Sequence, residues 1–368
     1  MGVGDFCNKE EKRNKKYNKH YYMEDGSDEC CIQKGDNRMI KINENQLKRN
    51  YENYPCLDNF AGNCYLNSIL QCFYYCNDLT EYFVTNNEEI KNKKGKLSNA
   101  YLNLIIALKK NERFNTAKNF FHDLQKVTSN FFKKGGNDPK AVLVTILQNL
   151  HDELKINANN EYDSYCEDFS LEKAFTFCKE IEQKNKSIIS ELFNWCLLSN
   201  INCNICSKNH YICEYRNYLL ISLENYENFS LNLDNLIMNY FKDNTKKFIC
   251  QNDEQKAINK VKYTKQIMKF PKIFIIILER KSNLKYKIEY NDNITFSGCL
   301  NRENNNDINY KLVGALLINE HATHAIAKCL VQDGIYCIFD DLNFIKNFLE
   351  PESFSPYILF YLKDPKVH

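Results

Sequence analysis

A cysteine near the start of an apolar periodic segment has the surroundings of a nucleophile. Apolar residues between Leu66 and Phe73 recur at the i, i+3, i+4, i+7 spacing of an amphipathic helix, which would begin at about Cys64. A thiol at a helix N-terminus lies beside unpaired backbone N–H groups and the positive end of the helix dipole, and both favour the reactive thiolate. Asn59 lies upstream of Cys64, where its amide could donate a hydrogen bond to an oxyanion. These residue types in this order indicate acyl-transfer chemistry at Cys64.

Two histidines are candidates for the general base that a cysteine nucleophile requires. Of the seven histidines in the chain, only His321 and His324 lie between two predicted strands and ahead of an acidic pair, Asp340 and Asp341. The carboxylate of such a pair would fix the imidazole tautomer and stabilise the imidazolium. His321 is an odd number of residues from His324, so the two cannot share one face of a strand.

The turn between the two strands decides which aspartate faces the histidine. A three-residue loop that ends at Gly334 puts Asp340 opposite Ile326, where it is a diagonal neighbour of His324. A two-residue turn shifts the register by one residue and puts Asp341 on that face instead. The residues alone therefore leave both aspartates open as partners of His324.

The segments around Cys64 and His324 resemble the cysteine box and the histidine box of the ubiquitin-specific proteases. The residues that match the cysteine box N-L-G-N-T-C-Y-M-N-S and its continuation are Asn59, Cys64, Tyr65, Asn67, Ser68, Leu70 and Gln71. Those that match the histidine box are His324, Ala327, Phe339, Asp340 and Asp341. The resemblance implies that Cys64 is the nucleophile, His324 the base and Asn59 the oxyanion donor. The family pattern favours Asp340 over Asp341 as the partner of His324.

The order of weaker matches extends the resemblance over about residues 57–362. Asp138 matches a helix motif of the family, Pro271 and Arg280 match a strand motif, and the segment from Ser355 to Lys363 resembles the closing strand. The resemblance implies an α+β, papain-like cysteine peptidase fold with a helical thumb, an antiparallel β palm and a β finger extension at about 195–255.

Hydrophobic periodicity independently predicts helices first and strands later, which is typical of an α+β architecture. Helices are predicted from about Cys64, at Ser98–Lys109 and at Lys140–Leu154. Strands are predicted at Tyr218–Leu223, Ile273–Leu278, Leu312–Ile318, Ala325–Val331, Ile335–Phe339 and Tyr357–Leu362. Residues 1–50 are polar and lack a sustained apolar period, so a disordered leader is expected there.

Half of a metal-binding motif lies in the segment that resembles the finger. Cys203 and Cys206 form a C-x-x-C pair, and Cys250 lies where the family supplies a second pair. Asp253 replaces the fourth cysteine, so the site looks incomplete, although His210 or Cys213 could supply the missing ligand. No other cofactor is expected, and a structural zinc ion stays an open alternative to a finger without metal.

Composition argues against three other classes of protein: nucleic-acid-binding, membrane-spanning and disulfide-rich secreted proteins. The net charge of +2 argues against a protein that binds nucleic acid by neutralising phosphates. The longest apolar run, Ile273 to Leu278, is too short to span a bilayer. The polar N-terminal segment lacks a secretory signal, so the 17 cysteines are expected to be thiols, ligands or catalysts rather than a disulfide framework. A monomer in the cytoplasm or nucleus is expected.

Two functions remain in contention. The first is a deubiquitinase that hydrolyses the peptide or isopeptide bond after the C-terminal glycine of ubiquitin, with ubiquitinated proteins as partners. The alternative is a catalytically weak or inactive module that keeps the fold and binds ubiquitin. Three departures from the family pattern motivate that alternative: Thr323 and Ala325 replace the usual Gly and aromatic residue around His324, Asp253 replaces a finger cysteine, and Ala141 replaces a usual Glu.

Overall fold

The computed structural model describes most of the chain after residue 53, together with two short segments before it. The described ranges are 29–34, 38–43, 54–60, 62–93, 95–112, 116–128, 138–156, 165–168, 170–224, 226, 230–242, 244–250, 258–280, 286–296, 307–346 and 350–365. Within these ranges no helix is long and apolar enough to cross a membrane.

Helices dominate the first half of the described chain. They are α1 (Cys64–Tyr75), α2 (Asn77–Thr85), α3 (Asn87–Asn92), α4 (Lys96–Lys109), α5 (Thr116–Val127), α6 (Pro139–Leu154), α7 (Leu171–Lys184), α8 (Ile188–Phe193) and α9 (Leu233–Phe241). The predicted helices at Cys64, Ser98–Lys109 and Lys140–Leu154 correspond to α1, α4 and α6. At α6 the Asp138 side chain accepts a bond from Lys140 N and Pro139 follows at the first turn, which together define the helix start.

Strands dominate the second half. They are β1 (Glu29–Lys34), β2 (Arg38–Asn43), β3 (Tyr165–Asp168), β4 (Trp195–Asn202), β5 (Asn209–Arg216), β6 (Leu219–Ser222), β7 (Ser230–Asn232), β8 (Asn244–Ile249), β9 (Ile258–Lys269), β10 (Ile273–Glu279), β11 (Lys287–Glu289), β12 (Asn293–Phe296), β13 (Ile308–Asn319), β14 (Ala325–Gln332), β15 (Ile335–Asp340), β16 (Asn343–Lys346) and β17 (Phe354–Lys363). Each of the six predicted strands corresponds to one of these.

The largest sheet, which we call the palm, has eight strands in the order β16-β15-β14-β13-β17-β10-β6, with β12 also paired to β13. Its pairs are antiparallel except β10 with β6, which run parallel. The expected antiparallel palm is therefore confirmed, with one parallel strand at its edge.

The palm carries a hydrophobic core on each face. Residues of β10 alternate: Ile273, Ile275 and Ile277 face the helices, whereas Phe274 and Ile276 face the opposite core. Helix α1 packs on β14 and β13 with almost all of its residues buried. This packing presses the N-terminus of α1, where Cys64 lies, against the palm.

A glycine permits the close approach of α1 to the palm. A Cβ atom at Gly314 of β13 would lie 3.1 Å from the Cβ and Sγ atoms of Cys72 on α1. A larger residue there would push the helix that carries Cys64 away from the sheet.

A second sheet, the finger sheet, has the order β3-β5-β4-β9-β8. Helix α7 packs on β5 and β3. Its strands run from Tyr165 to Lys269, so the finger extends beyond the predicted 195–255 on both sides. None of its five strands is among the six strands predicted from periodicity, and the β finger was expected only from the family resemblance.

Two features differ from the expectations drawn from composition. Strands β1 and β2 form an antiparallel hairpin inside the segment predicted to be a disordered leader, and the rest of residues 1–50 lie outside the described residues. Cys178 of α7 and Cys196 of β4 form a disulfide, although all cysteines were expected to be thiols, ligands or catalysts. Spacing could not indicate this pair, because it joins a helix to a strand that packs beneath it.

Candidate active site

Cys64 lies at the first residue of α1, as the periodicity predicted. The preceding Asn63 is the N-cap residue but makes no side-chain capping bond, and the first turn contains no acidic residue. The φ angle of Gly62 is 77°, a left-handed conformation that glycine adopts without strain. The open N-terminus leaves backbone N–H groups and the positive end of the helix dipole beside the thiol.

The backbone before His324 is held by a single asparagine at the end of β13. Asn319 Oδ1 accepts bonds from the backbone N–H groups of Thr323 at 2.9 Å and His324 at 3.3 Å. Asn319 Nδ2 also donates to Thr323 Oγ1 at 2.9 Å, and Asn319 N donates to His324 O at 3.1 Å. The residue that replaces the usual glycine, Thr323, is thus integrated into the loop that positions His324.

The hairpin of β14 and β15 combines both turn alternatives left open by the sequence. Gln332 pairs with Ile335 across a two-residue turn in which Gly334 has a φ of 72°. A bulge at Val331 then restores the other register, so that Ala327 pairs with Phe339. That register puts Asp340, not Asp341, on the face of His324.

The geometry of His324 and Asp340 is that of an oriented base. His324 Nε2 lies 2.7 Å from Asp340 Oδ1. Burial lowers the pKa of His324, but hydrogen bonding and negative charge from Asp340 and from the Cys64 sulfur raise it overall to about 11. Asp340 and Cys64 therefore both favour the protonated imidazole of His324.

Asp341 ties the palm to the segment before Cys64. Its carboxylate accepts Asn59 Nδ2 at 2.9 Å and Asn67 Nδ2 at 2.8 Å, and its carbonyl accepts Leu57 N at 3.3 Å. Burial raises the pKa of Asp341, and the bonds from the two asparagines oppose that rise. Asn59 Oδ1 in turn accepts Asn63 N at 3.0 Å. Asp341 therefore fixes the amide of Asn59, which is exposed and carries a second N–H hydrogen.

The structure brings together five residues predicted for the site, namely Cys64, His324, Asp340, Asn59 and Asp341. It leaves His321 outside, with its side chain 73% exposed and paired with Glu320. Sequence reasoning missed the positioning roles of Asn319 and Asn67. The signal for Asn67 was present, since a polar residue on a fully buried helix needs a partner that the helix does not supply.

The finger holds a second cluster that the sequence predicted only in part. Cys203, Cys206, His210 and Cys250 each place one ligand atom within 4.8 Å of the others. His210 Nε2 lies 3.4 Å from Cys206 Sγ and 4.0 Å from Cys250 Sγ. The three predicted cysteines therefore lie together, and His210, one of the two alternatives for the missing ligand, places a fourth donor atom among them.

The structure also decides between His210 and Cys213 as the fourth donor. The two lie three residues apart on β5, so their side chains point to opposite faces of the finger sheet. Cys213 belongs to the core beneath α7, where burial raises its pKa to about 12. Burial tends to raise the pKa of Cys203, but hydrogen bonds from the N–H groups of Cys206 and Ile205 and from two thiols lower it overall.

Comparison with known proteins gives a consistent family assignment. A curated relative, the probable ubiquitin carboxyl-terminal hydrolase 4 of Schizosaccharomyces pombe (strain 972), is 27% identical over 179 residues. That alignment covers 43% of this chain and 30% of the relative, so the chain spans under a third of the relative's length.

Solved structures share the fold. The SAGA DUB module of Ubp8, Sgf11, Sus1 and Sgf73 bound to monoubiquitin matches with a TM-score of 0.65 and 16% identity, covering 86% of this chain and 70% of that chain. The same module bound to ubiquitin aldehyde matches with a TM-score of 0.63 and 17% identity, again covering 86% and 70%. The α+β fold with thumb, palm and finger is thereby confirmed.

A family profile covers the whole of this architecture. The profile described as ubiquitin carboxyl-terminal hydrolase matches residues 56–361, from just before α1 to the end of the palm. Since the match spans most of the chain and includes Cys64, His324 and Asp340, this protein belongs to the ubiquitin carboxyl-terminal hydrolase family.

Proposed function

We propose that this protein is a thiol-dependent deubiquitinase that hydrolyses the peptide or isopeptide bond after the C-terminal glycine of ubiquitin. One arrangement carries the proposal: His324 lies 2.7 Å from Asp340, and both Asp340 and Cys64, at the open N-terminus of α1, raise the pKa of its imidazole. Membership of the family and the ubiquitin bound to the solved neighbours support the choice of substrate.

The catalytic cycle follows from the positions of the residues. The Cys64 thiolate attacks the carbonyl carbon of the substrate glycine, and backbone N–H groups of α1 with Asn59 Nδ2 receive the oxyanion. The His324 imidazolium gives its proton to the leaving amine as the C–N bond breaks, which leaves a thioester on Cys64. His324 then takes a proton from water, the hydroxide attacks the thioester, and Cys64 leaves as thiolate. Asp340 holds the imidazole orientation throughout.

The alternative of an inactive ubiquitin-binding module is less well supported. It rested on replaced residues around His324, in the finger and at Ala141. Around His324, however, Thr323 is bonded to Asn319 in the loop that holds His324, and Ala325 is buried in the palm. In the finger, His210 lies beside the three cysteines. The contacts of the catalytic residues are complete despite these replacements. We therefore propose an active enzyme.

A ubiquitin probe with a C-terminal electrophile tests the proposal. The wild-type chain should form a covalent adduct, and Cys64→Ala should form none because the attacking sulfur is missing. His324→Ala should react far more slowly, whereas the matched control His321→Ala should react like the wild type, since His321 lies outside the site. A folded wild-type chain that fails to react would refute the enzyme, and probes built on other ubiquitin-like modifiers would test the choice of modifier.

We also propose that the finger cluster binds one structural zinc ion. Three sulfur donors and one imidazole are a donor set that Zn²⁺ prefers, and Cys203 and Cys250 are fully buried. Glu167 Oε1 lies 3.9 Å from His210 Nδ1, on the side opposite the sulfurs, where it can orient the ring. The ion would hold together the fingertip, whose core among the described residues contains a small set of apolar side chains.

Elemental analysis of the purified protein tests for zinc. One zinc per chain is expected for the wild type and for the control Cys213→Ser, whose side chain faces the other side of the sheet. Loss of the metal is expected for Cys250→Ser, because it removes a buried donor. Zinc retained in Cys250→Ser, or absent from the wild type, would contradict the site.

The assembly and location of the protein are further proposals. We infer that it acts as a monomer on ubiquitinated proteins in the cytoplasm or nucleus, where thiolate nucleophiles stay reduced. Light scattering during size-exclusion chromatography tests the monomer, and fluorescence imaging of the tagged chain tests the location.

A further inference from the structure

We infer that the outer end of the finger sheet is a docking surface for an acidic, extended protein segment. The surface, called here the lysine face, consists of Lys247 on β8 and Lys260 and Lys262 on β9. This inference does not rest on the proposed enzymatic activity.

The strand register places the three lysines on one face. Lys247 pairs directly with Lys260, and Thr245 pairs with Lys262, so all four side chains point to the same side of the sheet. Lys262 also pairs with Asn202 of β4, which extends this side without adding an acidic residue. The three lysines are exposed, and none of them forms an ion pair within the described part of the chain.

Placing two lysines directly opposite each other opposes stability, because like charges on a cross-strand pair repel. Lysine on an edge strand such as β8 discourages unwanted pairing with other chains. That role does not explain Lys260 and Lys262, because β9 lies inside the sheet between β4 and β8. A binding partner with negative charge would offset the repulsion between these lysines, which explains their presence on an inner strand.

Two further features favour a polypeptide over a nucleic acid as the partner. Ile249 shares this face with Lys247 and is 50% exposed, so the surface offers an apolar contact beside its charges. β8 is the last strand of the finger sheet in the described part of the chain, and its outer edge can pair with an added strand. Net charge of only +2 provides no broad cationic field for nucleic acid.

The opposite end of the same face is already covered. There α7 packs over Cys196, Leu198 and Cys213 in a separate small core. The lysine face lies at the other end of this side of the sheet, beyond the residues on which α7 packs. A partner segment can therefore lie along β8 without displacing any described element. The surface and the catalytic cluster are in different sheets, so occupation of one leaves the other's contacts intact.

Binding of short fluorescent peptides to the full chain tests the inference. The probe alternates glutamate with valine, and its control carries glutamine in place of each glutamate. The acidic probe should bind with an affinity that falls as salt is raised, and the triple variant Lys247→Glu, Lys260→Glu and Lys262→Glu should weaken binding by about tenfold or more. The matched control Lys96→Glu, Lys118→Glu and Lys179→Glu carries the same change in charge on exposed helical residues and should bind normally.

Several results would overturn the inference: no binding of the acidic probe, equal binding of the glutamine probe, or equal loss in both triple variants. Displacement of the probe by free ubiquitin would also overturn it, because the face would then belong to the substrate site. Tighter binding of a DNA duplex at the same lysines would assign the surface to nucleic acid instead. Circular dichroism checks folding, and a triple glutamine variant replaces the glutamate variant if that one unfolds.

Discussion

Asn59 and Asp341 show how one pair of side chains connects two parts of the site. Asp341 adopts a left-handed φ of 52° directly after β15, and this turn directs its carboxylate to Asn59 and Asn67 while Asp340 faces His324. Adjacent aspartates thereby serve different partners. Asp340 orients the base, and Asp341 orients the amide proposed to receive the oxyanion.

The role of Asn59 predicts a specific kinetic defect. Asn59→Ala should lower kcat for a ubiquitin substrate by about 100-fold and leave KM nearly unchanged, because the lost bond forms only in the transition state. Steady-state kinetics with ubiquitin joined to a fluorogenic amine would measure both constants. Asn103→Ala, an exposed residue of α4, serves as the control. A rise in KM at constant kcat would instead assign Asn59 to substrate binding.

The contact between Asp340 and His324 predicts a shift of the alkaline limit of activity. Asp340 is among the groups that raise the pKa of His324 to about 11, whereas burial lowers it. Asp340→Asn removes the charge, so His324 should lose its proton at lower pH and the alkaline limb of kcat/KM should move down in pH. Asp333→Asn at the exposed hairpin turn is the control. An alkaline limb that does not move would mean that Asp340 does not set this protonation.

At the scale of elements, the β14–β15 hairpin decides which aspartate reaches the base. The two-residue turn alone would put Asp341 on the face of His324. The bulge at Val331 shifts the strand pairing back by one residue, so that Asp340 faces His324 instead. The packing of α1 on β13 and β14 then brings Cys64 to the same place. A change in either element would move one catalytic residue relative to the other.

Gly334 offers a test of the turn. Its φ of 72° is strained for residues with a Cβ atom, although no other atom lies near the Cβ position. Gly334→Ala should therefore destabilise the fold by about 1 kcal/mol, and Gly334→Asn should cost less because asparagine tolerates this conformation. Urea unfolding of the two variants would compare them. Equal stability of both variants and wild type would show that the turn does not require this conformation.

At the scale of the whole molecule, buried polar contacts join elements that are distant in sequence. His151 at the end of α6 places Nδ1 2.6 Å from Ser187 Oγ and Nε2 2.6 Å from Asn185 Oδ1. Ser187 caps α8, so this histidine links the thumb helices to the helix that leads into the finger. Burial lowers the pKa of His151; the hydrogen bond with Asn185 and the charge of Asp152 oppose that shift, and Lys155 reinforces it.

The lowered pKa of His151 predicts how stability depends on pH. The unfolded chain binds a proton at His151 more readily than the folded chain, so its contribution is present above about pH 6.5 and is lost as pH falls below that value. His151→Asn should flatten the acid side of the stability profile, measured by urea unfolding at several pH values. His122→Asn, on an exposed position of α5, is the control. An unchanged acid limb in His151→Asn would contradict this role.

The sequence by itself determined three thumb helices, six palm strands and the catalytic residue types, because these depend on local periodicity and short motifs. The stripe from Leu66 to Phe73 predicted α1 and put Cys64 at its start, and the strand patterns predicted the central palm strands. Only the tertiary structure decided that Asp340 serves His324, since the register depends on a bulge that leaves no separate mark in the sequence. The same holds for His210 as fourth donor and for the Cys178–Cys196 disulfide, because both join residues that only packing brings together. Cys64 was identifiable from its helix start, whereas the contacts made by His324 and Asn59, on which its reactivity depends, had to be read from the fold.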